Sequence, residues 1–231
     1  MYTFTPIVQE FTPTGIHTTK LFHLFNPGEK PIALECFVTK RYMDIEGAEN
    51  NSEEEAEELF LVYPSQIILP AGRKQLLRVQ WLGDSDLKEE LSFRLICRQL
   101  PINLKKPDED EEEANENAIE FLYNYAAAIY VVPRGVKPDI KIESTQVIEG
   151  EEGEKLLEIV FNNNGSKHQL MRDLSVKIAS KEENSKDVTI DVNAFKGGVN
   201  ILAKHKRRYT FPWPEENPQD NLIVTFEFLG K

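Results

Sequence analysis

No stretch of this 231-residue chain carries an apolar period of helical length, and that restricts its fold more than any other feature. Short runs of β-branched and aromatic residues alternate instead with turn residues. In the first half the runs are 4–11, 18–25, 32–42, 59–69, 73–81, 91–100 and 119–132. Between them stand Thr12-Pro-Thr-Gly15, Asn26-Pro-Gly28, Pro70-Ala-Gly72 and Gly83-Asp84, whose φ preferences suit tight turns. The second half repeats the pattern with runs at 139–148, 155–162, 173–179, 188–193, 207–211 and 222–229. Asn162-Asn-Asn-Gly165, Gly197-Gly198 and residues 212–218 separate these. The chain reads as all-β: a seven-stranded Greek-key sandwich over 1–132, a short stiff linker at 133–138 with two prolines and one glycine, and a smaller sandwich over 139–231.

Two connections are long and acidic. Residues 44–58 leave room for a short helix over 52–59, with Ser52 as N-cap and carboxylates in the first turn. Residues 103–118 include the tract 108–117, which has no apolar side chain larger than alanine, and are expected to be mobile. The formal net charge of −12 argues against a nucleic-acid partner or an anionic membrane surface. No apolar run approaches the ~20 residues of a membrane span, so no membrane insertion is expected. Met1-Tyr-Thr-Phe-Thr-Pro6 has neither a basic start nor a continuous apolar run, which fits a cytosolic protein or a mature chain without its leader.

The residues of chemistry are scattered. His17, His23, His168 and His205 fall in no metal-ligand spacing and read as surface or strand histidines. There is no glycine-rich phosphate loop, GxSxG elbow or HExxH motif, so no metal, no cofactor and no enzymatic activity are expected. The basic cluster Lys204-His-Lys-Arg-Arg208 reads as a solvated turn between strands. Cys36 and Cys97, in different runs, suit either a disulfide across a sandwich or two buried thiols.

The longest strand-like run, 119–132, has Ile119, Phe121, Tyr123 and Tyr125 alternating, which places all four on one face. It follows the acidic tract and precedes Pro133. Its later part, with small and β-branched residues, suits permanent burial. Its earlier part offers large side chains beside a mobile loop. An edge of this kind is prone to self-pairing, so a capped edge or a homodimer through it is expected when no partner is present.

Several ordered landmarks resemble the periplasmic chaperones of the chaperone–usher pilus pathway. They are Asn26-Pro-Gly-Glu-Lys-Pro-Ile-Ala-Leu-Glu-Cys-Phe-Val38, Phe60-Leu-Val-Tyr-Pro-Ser-Gln-Ile-Ile-Leu-Pro-Ala-Gly72 with Gln75-Leu-Leu-Arg-Val79, and Glu89-Glu-Leu-Ser-Phe-Arg-Leu-Ile-Cys-Arg-Gln-Leu-Pro101. Phe161-Asn-Asn-Asn-Gly-Ser-Lys-His-Gln-Leu170 and Ile201-Leu-Ala-Lys-His-Lys-Arg-Arg-Tyr-Thr-Phe-Pro212 extend the likeness into the second half. The resemblance implies two immunoglobulin-like sandwiches in an L-shaped (boomerang) arrangement. It also implies a function: capping pilin-like subunits by donor-strand complementation and passing them to an outer-membrane usher, in the periplasm and without ATP or metal. The donor positions carried over are Ile119, Phe121, Tyr123 and Tyr125. Arg78 and Glu90 match two members of the family's interdomain salt-bridge network, with Asp220 as the acidic third.

The chain departs from the family pattern at the two basic residues that hold a subunit's terminal carboxylate. The first strand, 4–11, has no Lys or Arg, and the second position falls at or beside Ala128. Lys20 or Arg134 is expected to substitute. The same fold without these anchors also suits an interaction protein of a surface-assembly system that has no pilin-chaperone activity.

Overall fold

The computed structural model describes residues 1–50, 56–102, 121–172, 174–180, 188–191, 200–213 and 222–228. The chain divides into two compact units. Met1–Arg41, Asn51–Leu87 and Leu91–Arg134 form the first; Tyr42–Asn50, Lys88–Glu90 and Gly135–Lys231 form the second. The backbone therefore passes between units at five points, after Arg41, Asn50, Leu87, Glu90 and Arg134. Residues 42–50 and 88–90 precede the linker in sequence yet belong to the second unit, which a linear reading of 133–138 as the sole connection does not anticipate.

The strands of the first unit are β1 (Thr3–Thr5), β2 (Val8–Phe11), β3 (Thr19–Phe25) and β4 (Ile32–Lys40), then, after β5 (Tyr42–Met43) and β6 (Glu49–Asn50) of the second unit, β7 (Phe60–Tyr63), β8 (Gln66–Leu69), β9 (Lys74–Trp81), β10 (Leu91–Gln99) and β11 (Asn124–Val131). One sheet has the order β1-β3-β9-β7 and the other β2-β11-β10-β4-β8. The expected strands 4–11 and 59–69 are each divided between the two sheets, at Pro6 and at Pro64. Proline has no N–H to give a ladder, so pairing must stop there, and the chain uses the break to change layers. Both preceding peptide bonds are cis.

Alternate residues of both sheets fill one core. Phe11, Phe22, Leu24, Leu34, Leu77, Val79, Leu95, Ile129 and Val131 are buried within it. Phe60 packs edge-on against Trp81 and Phe93, with ring centroids 5.1 and 4.9 Å apart. Cys36 and Cys97 lie opposite each other on β4 and β10, buried and joined as a disulfide with Cα atoms 4.2 Å apart. The Cys36–Cys97 disulfide is thus present, so the reading as two thiols is corrected; it links neighbours within one sheet and does not cross the sandwich.

The expected helix over 52–59 lies partly outside the described residues. Its described end, 56–59, is a turn in which the Leu59 and Phe60 N–H groups both donate to the Ala56 carbonyl. The expected mobile tract 103–118, Ile119 and Asp220 also lie outside the described residues.

In the second unit, β12 (Ile140–Glu149), β13 (Lys155–Asn163) and β18 (Lys206–Pro212) form one sheet. Strands β15 (Leu174–Ser180), β16 (Val188–Asp191) and β19 (Leu222–Phe228) form another, and β14 (Gln169–Leu170) pairs β17 (Asn200–Ile201). Leu157, Ile159 and Phe161 meet Leu174, Val176 and Ile178 in the core between them. The β5–β6 hairpin packs on β18. The Arg208 N–H donates to the Ile45 carbonyl at 2.7 Å, and the Arg207 guanidinium reaches Met43 Sδ at 3.3 Å. Arg207 is buried and Arg208 pairs with Glu46 and Glu158. The basic cluster is therefore a turn only at its start, where Lys204 is exposed; from Lys206 it is strand, and alternation along β18 sends Arg207 inward and leaves Arg208 as an ion-pair partner.

Candidate functional site

The geometry of interest surrounds β11. On one side β11 pairs with β10 along its whole length, Leu91↔Val131 to Arg98↔Asn124, and the Gln99 N–H to Tyr123 carbonyl bond extends the pairing. On its other side β2 runs parallel to it and covers only Ala128–Val131. The Ala128 N–H donates to Ile7, and the Val132 N–H to Phe11. Residues 124–127 consequently have no strand partner on that side among the described residues. An edge with unpaired N–H and C=O groups is a template for another strand.

Side chains along this edge divide by position. Phe121 is 70% exposed and Leu122 is also exposed. Tyr123 and Tyr125 are half-buried against the first unit's core, and Ala127, Ile129 and Val131 are fully within it. Tyr125 meets Tyr2 edge-on at 4.8 Å and donates its hydroxyl to the Tyr2 carbonyl at 2.8 Å. The Tyr2 hydroxyl in turn donates to the Cys97 carbonyl. Burial raises the Tyr2 phenol above the usual tyrosine range, so it stays protonated and a donor.

The opposite face of the same sheet carries cations. Register places Val8, Ala128, Arg94 and Thr39 in one row across β2, β11, β10 and β4. In the next row, Glu10, Tyr130 and Ser92 are aligned, and Arg41 donates to the Tyr130 hydroxyl at 2.6 Å. Arg41 and Tyr130 are both buried. Arg98, two residues from Ile96 on the same face, pairs with Glu35 at 2.7 Å and lies over the Phe37 ring at 4.9 Å. The first strand and β11 themselves supply no basic group here. Alternation of Arg94, Ile96 and Arg98 along β10 was the available signal, and only cross-strand register shows which residue stands beside Ala128.

The other expected site residues are placed as follows. Lys20, on β3 opposite Val79, is half-buried, and Arg134 is exposed just after β11. Arg78, on β9, donates to Gln80 at 2.7 Å within the first unit. Glu90 belongs to the second unit, where both its carboxylate oxygens lie 2.8 Å from His168 Nδ1 and the His168 N–H donates to it at 3.2 Å. His168 is thus a nearly buried partner of a carboxylate and not a surface histidine. No cluster of three metal-ligating side chains occurs among the described residues.

No protein-family model matches the sequence, and no curated protein does. Solved structures do match in fold. The chaperone–tip adhesion subunit pre-assembly complex CsuC–CsuE of Acinetobacter baumannii archaic Csu pili includes a chain similar to this one at TM-score 0.59 and 16% identity, over 97% of each. The class 5 fimbriae chaperone CfaA aligns at TM-score 0.56 and 15% identity, over 98% of this chain and 99% of that one. A chain from the complex of Salmonella enterica SafA pilin with the SafB chaperone aligns at 0.54 and 14%, over 92% and 84%. The chain has the two-sandwich, all-β fold of the periplasmic chaperones of the chaperone–usher fimbrial pathway.

Proposed function

We propose that this protein is a non-enzymatic periplasmic chaperone that caps pilin-like subunits by lending them the free edge of β11, and that an outer-membrane usher receives the capped subunit. The observation that carries this reading is the edge itself: β10 holds one side of β11 rigidly while β2 stops at Ala128, leaving 124–127 open beside the exposed Phe121. Added backbone hydrogen bonds give affinity, and alternate side chains entering the subunit's groove give specificity. Phe121 and Tyr123, with Ile119 before them, are the proposed groove-filling positions.

A partner strand that continues the line of β2 runs parallel to β11 and brings its C-terminal end to the row of Val8, Ala128 and Arg94. A guanidinium there suits a terminal carboxylate, which it can bind through two parallel hydrogen bonds. Arg94 therefore joins Lys20 and Arg134 as a proposed anchor, supplied by a neighbouring strand in place of the missing basic residue at Ala128. Without a subunit, the same open edge of a second copy is the competing partner.

The test is co-expression with a pilin-like subunit, taken from the gene's neighbourhood where one is encoded there. Phe121→Asp puts a charge into the proposed groove contact while changing the free protein's stability by no more than about 0.5 kcal/mol, as for other exposed positions. It should abolish co-purification of the subunit. Normal recovery of the complex with this variant and with Tyr123→Asp would overturn the reading.

A further inference from the structure

Resting on the reading of β11 as the lent strand, we propose that Tyr125 is a positioning residue and that, with Tyr2, it forms a clamp ending the lent segment and fixing its register. Alternation alone groups Tyr125 with Phe121 and Tyr123, yet its surroundings differ. The Tyr125 ring packs on Tyr2 at 4.8 Å and faces Phe4 at 6.3 Å, and its hydroxyl is bound to the Tyr2 carbonyl. Tyr2 is 1% exposed and bonds the carbonyl of Cys97, which is the residue directly opposite Tyr125 on β10. Cys97 is itself tied to Cys36 on β4.

These contacts close a ring through two strands and the residue that precedes a third. From Tyr125 it passes to Tyr2 just before β1, from Tyr2 to β10, and from β10 back to β11 through the ladder. A two-residue slip of β11 keeps the same face inward but brings Tyr123 or Ala127 to the clamp. Ala127 has no hydroxyl and no ring, so slip in that direction forfeits both contacts. Slip in the other direction draws Ala127 and Ile129 out of the positions they fill in the core. The clamp blocks slip in one direction and the core in the other, so together they hold one register, and the segment free to enter another protein lies on the N-terminal side of the clamp.

Tyr125→Phe and Tyr2→Phe each remove one hydroxyl and no carbon, so the fold should persist. In the full-length free protein, amide exchange at 123–127 should quicken roughly 5- to 10-fold in both variants, as expected for losing one net hydrogen bond, while β13 and β18 remain unchanged. Affinity for the co-expressed pilin-like subunit should weaken by a similar factor, although both variants stay folded at the assay temperature. Tyr125→Ala should lower the unfolding midpoint of the free protein, whereas Phe121→Ala should weaken binding and leave that midpoint in place. Faster exchange with unaltered affinity would make the contact purely structural and overturn the positioning role, as would unchanged exchange in both variants. A Tyr125→Ala protein of undiminished stability that has lost binding would move Tyr125 into the groove and overturn the clamp. If the wild-type protein binds no subunit, the chaperone reading fails while the exchange arm still decides the clamp.

Discussion

Asn26 and Asn163 hold equivalent turns in the two units. Each side-chain carbonyl accepts the N–H of the glycine two residues on, Gly28 or Gly165, at 3.0 Å. Each side-chain NH2 donates to the carbonyl four residues on, Lys30 or Lys167, and to a distant backbone carbonyl, of Leu69 or Leu202. The shared Asn-x-Gly-x-Lys spelling makes the turns legible in sequence; their burial needed the strands around them. At Gly165 a Cβ would come within 2.3 Å of the Asp139 nitrogen and 2.4 Å of the Lys137 carbonyl oxygen. Backbone cannot swing aside as a side chain can, so Gly165→Ala should cost about 2 kcal/mol, read as a lower urea midpoint. Gly47 is constrained differently: at φ 77° its Cβ would enter the Arg207 guanidinium. Nothing in the basic run 204–208 foretold which arginine would turn inward against that glycine. Burial pushes the Tyr209 phenol up to about 12. Between roughly 10 and that value, only the unfolded chain releases this proton, so stability should fall as pH rises through the window. Thermal unfolding of wild type and Tyr209→Phe between pH 9 and 12 should show a shallower decline in the variant.

Strands were the most legible elements because propensity and alternation are local. Runs such as 73–81 and 91–100 appear almost unchanged as β9 and β10. Assignment to a sheet is not local, which is why the runs around Pro6 and Pro64 looked continuous and proved to serve two layers. The run 119–132 reads as one strand with two characters, whereas β11 begins only at Asn124 and Phe121–Tyr123 precede it outside the strand. What its pattern could not reveal is that β2 ends the shared edge at Ala128, or that Tyr125 is occupied by Tyr2. The disulfide illustrates the same limit, since only register makes Cys36 and Cys97 neighbours. Its loop spans 61 residues, so replacing both cysteines by alanine should lower stability by about 2–4 kcal/mol, measured by urea unfolding under oxidising conditions. An unchanged midpoint would mean that the β4–β10 ladder alone fixes this part of the sheet.

For the molecule as a whole, the all-β, two-sandwich expectation matches the observed fold, while the path of the chain between units was hidden. Spacing shows where strands begin and end but not where an intervening hairpin finds its partners. Residues 42–50 depend on β18 for their packing and on Arg207 and Arg208 for polar contacts. A fragment ending at Arg134 should therefore be cut by protease within 42–50 under conditions that leave full-length protein intact. Equal resistance in both would show that the hairpin is held by other means.

The two proline crossings have a mechanical consequence. β1 and β2 are edge strands of opposite layers joined through Pro6, and β7 and β8 are the opposite edges joined through Pro64. The first sandwich is thus seamed along both flanks. A shearing force that slides one layer across the other must load both seams together and strain ladders in both layers at once. Such a body resists slip between its layers, and the open edge of β11 at 124–127 sits in a frame fastened on both flanks.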